Sequence, residues 1–288
     1  MIQDKDTNIV YFSEWLNAKQ GGHPGFFKRL TSLLDKIGIK WDMLKHTADY
    51  WARDYMPLQL AEDDYLKYVY RPDYLYKVDG RAQYITDCSE SCNELGIQYR
   101  TTDIVIDGGN VVDCGAYIVM TDKVFEENDV PKNDKILSDR LEKALRKNVI
   151  FIPWTRHSQP GDKETDVYGH ADGFIKYCGE NKILMSNLRD TYPDEADAIR
   201  QVLEYHGYNV TEMLFDVTHP DTDVNWAYIN FLQVGNEIIM PCFGISEDKQ
   251  AMRYISEAFP ECNVHAIRMR CVAYNGGALH CLTWNIRR

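Results

Sequence analysis

The hydrophobic positions of this chain repeat one pattern, a helix followed by a strand, five times. Apolar residues recur three and four apart, and each such run is followed by a helix-breaking residue or a short polar stretch and then by a short apolar run. In the first repeat Leu30, Leu33 and Leu34 share one helix face, Gly38 ends the helix, and residues 39–44 form the predicted strand. The other four repeats predict helices over about 86–95, 137–145, 194–206 and 247–259, with strands at 97–99, 149–152, 210–215 and 264–269.

Further strand candidates lie between these pairs, at 116–120, 173–177, 183–185 and 237–240. The chain therefore reads as an α/β protein of about five strand–strand–helix–strand modules, forming a single domain over residues 1–288. An open doubly wound sheet is the alternative, but the Gly-rich phosphate loops expected near its start do not occur. Ser246 is expected to cap the fifth helix.

One unusual polar cluster follows a strand in each module. The five clusters are residues 51–54 (Trp-Ala-Arg-Asp), 106–110 (Ile-Asp-Gly-Gly-Asn), 169–172 (Gly-His-Ala-Asp), 228–230 (Tyr-Ile-Asn) and 275–281 (Asn-Gly-Gly-Ala-Leu-His-Cys). If the modules close around an axis, all five clusters meet at one end of it. A single converging site is the simplest account of the pattern.

The amino-acid composition limits the classes of molecule that such a site could bind. A formal net charge of −12 argues against nucleic acid, which needs clustered Lys and Arg, and suits a cationic ligand. The first residues lack the features of a signal peptide and no apolar run could span a bilayer, so we expect a cytoplasmic protein with no membrane partner. The eight cysteines form no CxxC pair, and at least seven are expected to be inert.

The clusters bring three carboxylates, two histidines and one thiol to the predicted site: Asp54, Asp107, Asp172, His170, His280 and Cys281. No metal-binding spacing accompanies the His-x-Asp pair, so no metal is predicted. A papain-like triad would use one carboxylate and leave the others without a role. Surplus acid around a thiol suits a guanidinium, whose planar N–H donors match carboxylates. His280 is expected to be structural and to face away if its segment is extended.

These motifs resemble the agmatine deiminase and bacterial-type peptidylarginine deiminase family of guanidino-group-modifying enzymes (the pentein superfamily). The matching residues run in family order over most of the chain: 51–54 with Pro57, 107–110, 169–172, 228–231 with Pro241 and Gly244, and 276–277 with 280–281 and Thr283. The resemblance implies a five-bladed, pseudo-symmetric α/β propeller that works without a cofactor.

The resemblance also implies a role for each site residue. Cys281 would attack the guanidinium carbon, and His170 would protonate the departing ammonia and then activate water. Asp107 would lie beside the histidine. The substrate-binding residues would be Asp54, Asp172, Asn230, Trp51 and Arg53, of which Arg53 is expected to hold Asp54 or a loop in place.

Three departures from the family pattern affect the prediction. Met56 replaces the usual Gly, Asp107 replaces Glu, and Trp284 begins a tail that usually contains Gln. We expect deimination of a small cationic guanidino compound, agmatine first. Peptidylarginine or free arginine deimination, amidinotransfer and non-catalytic guanidino binding stay open, as does assembly into a homo-oligomer.

Overall fold

Five three-stranded sheets of one common design make up the computed structural model, which describes residues 1–156 and 168–288. In every sheet the middle strand pairs antiparallel with one neighbour and parallel with the other. The parallel partner follows the middle strand after at least one helix, as a parallel crossover requires. Each sheet with its helix is therefore a strand–strand–helix–strand module, as the sequence predicts.

The strands within the described residues are β1 (Ile9–Ser13), β2 (Lys40–Leu44), β3 (Leu58–Ala61), β4 (Asp64–Val69), β5 (Tyr99–Val105), β6 (Val112–Asp113), β7 (Ile118–Thr121), β8 (Val149–Ile152), β9 (Ile175–Gly179), β10 (Lys182–Met185), β11 (Asn209–Glu212), β12 (Leu232–Val234), β13 (Glu237–Cys242), β14 (Asn263–Arg268) and β15 (Thr283–Ile286).

The α-helices of the same residues are α1 (Pro24–Ile37), α2 (Ala52–Tyr55), α3 (Asp73–Tyr76), α4 (Ser89–Glu94), α5 (Lys123–Glu127), α6 (Lys135–Leu145), α7 (Pro193–Tyr205), α8 (Asp248–Ala258), α9 (Arg270–Ala273) and α10 (Leu279–Leu282). None of them is both long enough and apolar enough to cross a lipid bilayer.

Four of the sheets consist of consecutive strands, whereas the fifth joins the two ends of the chain. In that sheet β1 pairs antiparallel with β15, with Ile9 opposite Ile286, and parallel with β2. The C-terminal strand thus supplies the first strand of the N-terminal module. As a result, residues just before β15, including Cys281, lie next to the N-terminal segment.

The long amphipathic helices agree with the prediction. α1, α6, α7 and α8 bury the apolar faces that the sequence indicates, for example Leu30 and Leu34 in α1. The second predicted helix is shorter than expected, and its strand begins at Tyr99 and runs through a polar stretch to Val105. The predicted cap at Ser246 is wrong, because the helix begins at Asp248 and the Ser246 hydroxyl donates to Glu247 instead.

Candidate active site

Short helical turns carry the polar residues that the sequence singles out. Asp54 lies in α2, and Cys281 lies in α10. Asp107 directly precedes a 3₁₀ turn at Gly108–Asn110, and Asp172 lies in another turn, Ala171–Gly173. All four side chains are buried. The structure therefore brings residues from four separate modules into one site.

Gly109 marks the point where three of these side chains converge. A Cβ atom placed on Gly109 would lie 2.7 Å from Asp54 Oδ1, 2.9 Å from His170 Nδ1 and 3.2 Å from Asp172 Oδ1. Its backbone N–H also donates to Asp54 Oδ1 over 3.0 Å. Any larger residue would push the two carboxylates and the imidazole apart, which explains the second glycine of the Asp-Gly-Gly-Asn cluster.

His170 lies between two carboxylates. Its Nε2 is 2.9 Å from Asp107 Oδ2, and its Nδ1 is 3.4 Å from Asp54 Oδ1. Burial alone would lower the pKa of His170, but the charge of Asp54 and the hydrogen bond and charge of Asp107 raise that pKa to about 10. His170 therefore carries a proton at neutral pH and can donate it to a leaving group.

The two neighbours of His170 differ in their own ionisation. Burial raises the pKa of Asp54 to about 7, with the charges of Asp107 and Asp172 adding to the effect and that of His170 opposing it. Burial would also raise the pKa of Asp107, but the Lys123 charge and the hydrogen bond from His170 hold it below its usual range. Asp107 is thus a fixed anion, whereas Asp54 titrates near neutral pH.

Cys281 lies on the far side of the converging carboxylates, next to Asp172. The thiol donates to Asp172 Oδ2 over 3.7 Å, and the same oxygen is 2.6 Å from His280 Nδ1. The other oxygen, Asp172 Oδ1, is buried and has no hydrogen-bond partner among the described residues. That oxygen is available to a ligand that donates hydrogen bonds.

The ionisation of Cys281 depends on whether a cation is bound between Asp54 and Asp172. Burial, together with the negative charges of Asp172 and Asp54, raises the pKa of the Cys281 thiol well above its usual value. Burial would also raise the pKa of Asp172, but the hydrogen bond and charge of His280 hold it below the usual range. A cation bound between the carboxylates would reverse the effect on the thiol and favour the thiolate.

Asn230 holds the segment that carries Cys281. Its side-chain oxygen accepts hydrogen bonds from the backbone N–H groups of Ala278 and Cys281, each over 3.2 Å. Its amide nitrogen donates to the Asp172 carbonyl over 3.4 Å, and its own carbonyl accepts from His280 N over 3.0 Å. These contacts fix Cys281 relative to Asp172, so Asn230 acts through the backbone of its neighbours.

Arg53 and Trp51, the other two predicted binding residues, pack against the same segment. The Arg53 guanidinium donates to the His280 carbonyl over 3.5 Å and to the Asn285 side chain. The Trp51 ring lies against the backbone of Gly277, where no Cβ would fit. Arg53 therefore contacts the segment that carries Cys281, and Trp51 borders that segment.

The expectation that His280 faces away from the site is wrong. Residues 279–282 form the helical turn α10, so successive side chains diverge by about 100° rather than pointing to opposite faces of a strand. His280 consequently reaches Asp172 with Nδ1, while its Nε2 lies 3.5 Å from Asp4 Oδ2. Sequence reasoning missed Asp4, which joins the site because β1 and β15 pair.

Lys123 is a second residue that sequence reasoning missed. It begins α5, is fully buried, and places its ammonium 3.5 Å from Asp107 Oδ2. Nothing in the local sequence distinguishes it from a surface lysine. Within residues 1–156 and 168–288, no group of three or more His, Cys, Asp or Glu side chains is arranged to hold a metal ion.

Known agmatine deiminases are similar in sequence to this chain. Agmatine deiminase of Stutzerimonas stutzeri is 27% identical over 218 residues, which cover 65% of this chain and 58% of that protein. Agmatine deiminase of Pseudomonas fluorescens is 27% identical over 227 residues, covering 67% and 59%. The matched region thus spans about 60% of the length of such relatives.

Solved structures share the fold. A substrate-bound C. jejuni agmatine deiminase variant superposes with a TM-score of 0.74 at 15% identity, over 100% of this chain and 96% of that one. Agmatine deiminase of Enterococcus faecalis gives a TM-score of 0.74 at 15% identity, over 99% and 94%. Residues 28–286 match the Porphyromonas-type peptidyl-arginine deiminase family over most of the chain. The protein is therefore a member of the Porphyromonas-type peptidyl-arginine deiminase family.

Proposed function

We propose that the protein hydrolyses the guanidinium group of a small cationic compound, agmatine in the first place, to the ureido product and ammonia. The observation that carries this proposal is the convergence of Asp54, Asp172 and His170 on Gly109, with the Cys281 thiol 3.7 Å from Asp172. We further propose that the five modules form a single domain arranged as a five-bladed propeller around this site.

Binding would use the two carboxylates on either side of Gly109. A guanidinium is planar, remains charged, and offers N–H donors in a fixed geometry. Asp172 Oδ1, buried and without a partner among the described residues, and Asp54 would accept hydrogen bonds from its nitrogens. The bound cation would lower the pKa of Asp54 and of the Cys281 thiol, so that substrate helps to create the nucleophile.

The chemistry would then proceed in two halves. Cys281 Sγ attacks the guanidinium carbon and a C–N bond breaks, with His170 giving its proton to the departing ammonia. The enzyme is left as an S-alkylthiouronium on Cys281. Neutral His170 next takes a proton from water as the water attacks the same carbon. The C–S bond then breaks as the new hydroxyl loses its proton to solvent, which releases the ureido product and the thiolate. Asp107 holds His170 by its Nε2 throughout.

Two independent features favour a small cationic substrate. The names of the similar proteins from Stutzerimonas stutzeri and Pseudomonas fluorescens state that those proteins are agmatine deiminases. The formal net charge of −12 also attracts cations to the protein. The predicted cytoplasmic location, the absence of a cofactor and of a nucleic-acid partner, and the oligomeric state stay predictions.

Assays of purified protein against agmatine, arginine, an arginine-containing peptide and simple guanidines test the proposal. Ammonia and ureido product should appear in equal amounts, fastest with agmatine, and Cys281→Ser should release neither. Formation of citrulline from free arginine or from the arginine-containing peptide would identify arginine as the substrate instead. Product formation that requires an added amine would indicate amidinotransfer. No turnover of any guanidine would overturn the proposed function.

A further inference from the structure

Lys123 is the buried charge closest to the site that the proposed mechanism does not use. Its side chain is fully buried, and its ammonium lies 3.5 Å from both Asp107 Oδ2 and Asp73 Oδ1. It also forms an ion pair with Glu127 one helical turn away, and its nitrogen lies 5.2 Å from the centre of the Tyr74 ring. A lysine is rarely buried so completely without a specific partner.

The stem of Lys123 touches the segment that carries His170. A Cβ atom on Gly169 would lie 2.8 Å from Lys123 Cδ, so the lysine stem packs closely on the residue directly before His170. Thr121, two residues before the lysine, donates from its hydroxyl to the Gly169 carbonyl over 2.5 Å. The end of β7 and the start of α5 therefore contact the residue before His170 through the Thr121 hydroxyl and the Lys123 stem. The Lys123 ammonium contacts Asp107, the partner of His170.

Asp107 Oδ2 is shared between this lysine and the catalytic histidine. The same oxygen lies 2.9 Å from His170 Nε2 and 3.5 Å from Lys123 Nζ, while Asp107 Oδ1 has no hydrogen-bond partner among the described residues. A short aspartate side chain leaves little freedom to follow a moving imidazole. The ammonium behind it fixes the carboxylate in the ionised form and in one direction.

We propose that Lys123 is a positioning residue for the deimination reaction, which fixes the Asp107 carboxylate against His170 and keeps the His170 proton transferable. This inference rests on the proposed function. The lysine opposes the two carboxylates that bind the His170 proton, because two positive charges this close repel each other. Without Lys123, a larger fraction of His170 would take up a proton from solvent while the covalent intermediate persists, so less neutral imidazole would be available as the base of the second half.

A purely structural role for Lys123 makes a different prediction. If the lysine only neutralises buried acids, its removal lowers the free energy of unfolding but leaves each folded molecule equally active. If it tunes His170, hydrolysis of the covalent intermediate slows. Slow breakdown of the intermediate lowers kcat and KM together, since more enzyme is held as the adduct during turnover.

The test compares Lys123→Met with the wild type on the substrate identified by ammonia release. We expect kcat at neutral pH to fall about tenfold, because loss of the lysine charge raises the His170 pKa and leaves less neutral imidazole to accept a proton from water. KM should fall with it. Intact-mass analysis of acid-quenched enzyme should find a larger fraction carrying the adduct, and NMR titration should follow the His170 imidazole to higher pH.

Two further variants complete the test. Lys123→Met/Glu127→Gln also replaces the carboxyl group that pairs with the lysine, and should shift kcat, KM and the adduct fraction in the same direction if the single variant does not fold. Lys147→Met removes a different ion pair, with Asp113, whose carboxylate keeps other partners, and should behave as the wild type. A folded Lys123 variant with unchanged kcat, KM and adduct fraction would overturn the inference. A wild type that turns over no guanidine would instead overturn the proposed function, and this inference with it.

Discussion

The two histidines of the site belong to two series of buried charges that are built alike but differ in surroundings. The first, the His170 series, consists of Lys123, Asp107, His170 and Asp54 in that order. Its three links measure 3.5, 2.9 and 3.4 Å. It runs from the lysine to the carboxylate beside Gly109.

The second, the His280 series, repeats the same order of residue types and ends at the opposite carboxylate of the site. It consists of Lys176, Asp4, His280 and Asp172, with links of 2.7, 3.5 and 2.6 Å. In the His170 series the histidine's shorter contact is to the carboxylate on the lysine side. In the His280 series it is to the carboxylate on the site side.

Burial separates the two series further. Lys123 and Asp107 are fully buried. The His280 series borders a cavity of about 290 Å³, lined by Asp4, Lys176 and His280 among others. The carboxylates at the site end differ as well, since the pKa of Asp54 is raised to about 7 by burial, whereas His280 holds the pKa of Asp172 below its usual range. This difference supports the proposal that His170 transfers a proton, whereas His280 holds the Asp172 carboxylate in place.

Replacing each histidine in turn should give the largest difference between the two series. We expect His170→Gln to lower kcat at least about a thousandfold, because it removes both the acid and the base of the reaction. His280→Gln should cost about ten- to a hundredfold, mainly in KM, because glutamine can still donate to Asp172. Steady-state ammonia release measures both. Equal losses in kcat would contradict the assignment of separate roles.

The titration of Asp54 predicts a smaller, pH-dependent difference. Its pKa of about 7 lies above the usual value, so the carboxylate is neutral below pH 7 and binds a guanidinium only as pH rises through that value. We expect the ionisation of Asp54 to contribute about a tenfold increase in kcat/KM from pH 6 to pH 8, in addition to the increase that comes from deprotonation of the Cys281 thiol. Asp54→Asn should be weak and should lose this contribution, whereas Asp172→Asn should keep it. An Asp54→Asn profile as steep as that of the wild type would assign the titration to another group.

Asp4 and Asp107 are the carboxylates between the lysine and the histidine in the two series. Replacing Asp4, in the His280 series, should have the smallest effect of the variants considered. Asp4→Asn should lower activity less than about fivefold, because its contact with His280 is long and lies beside a cavity that water can enter. Asp107→Asn, its counterpart, should cost at least about a hundredfold through His170. Kinetics of the two variants at one pH test this pair. A larger loss for Asp4→Asn would reverse the ranking of the two series.

The sequence predicts the long helices, and it singles out several side chains that the structure brings close together. α1 and α6 carry strong apolar spacing, and Asp54, Asp172 and Cys281 stand in clusters with a distinctive local pattern. Several strands escaped prediction because both of their faces are buried, which removes the alternation of polar and apolar residues. In β12 and β15 every residue is buried.

The outer members of both series could not be predicted for a different reason. Asp4 and Lys176 are 172 positions apart in sequence and meet only in the tertiary structure. Lys123 occupies an ordinary polar position at the start of a short helix, and its burial depends on Tyr74, Trp154 and Gly169 around it. The burial of such residues depends on tertiary packing, so no pattern in the local sequence predicts it.

Acid quenching of the enzyme during turnover of agmatine, followed by intact-mass and peptide analysis, tests the central claim most directly. We expect an adduct on Cys281 whose mass equals that of agmatine less ammonia. We expect Cys281→Ser to form no adduct and to release no ammonia. Turnover of agmatine by Cys281→Ser, or turnover by the wild type with no adduct under single-turnover conditions, would contradict it.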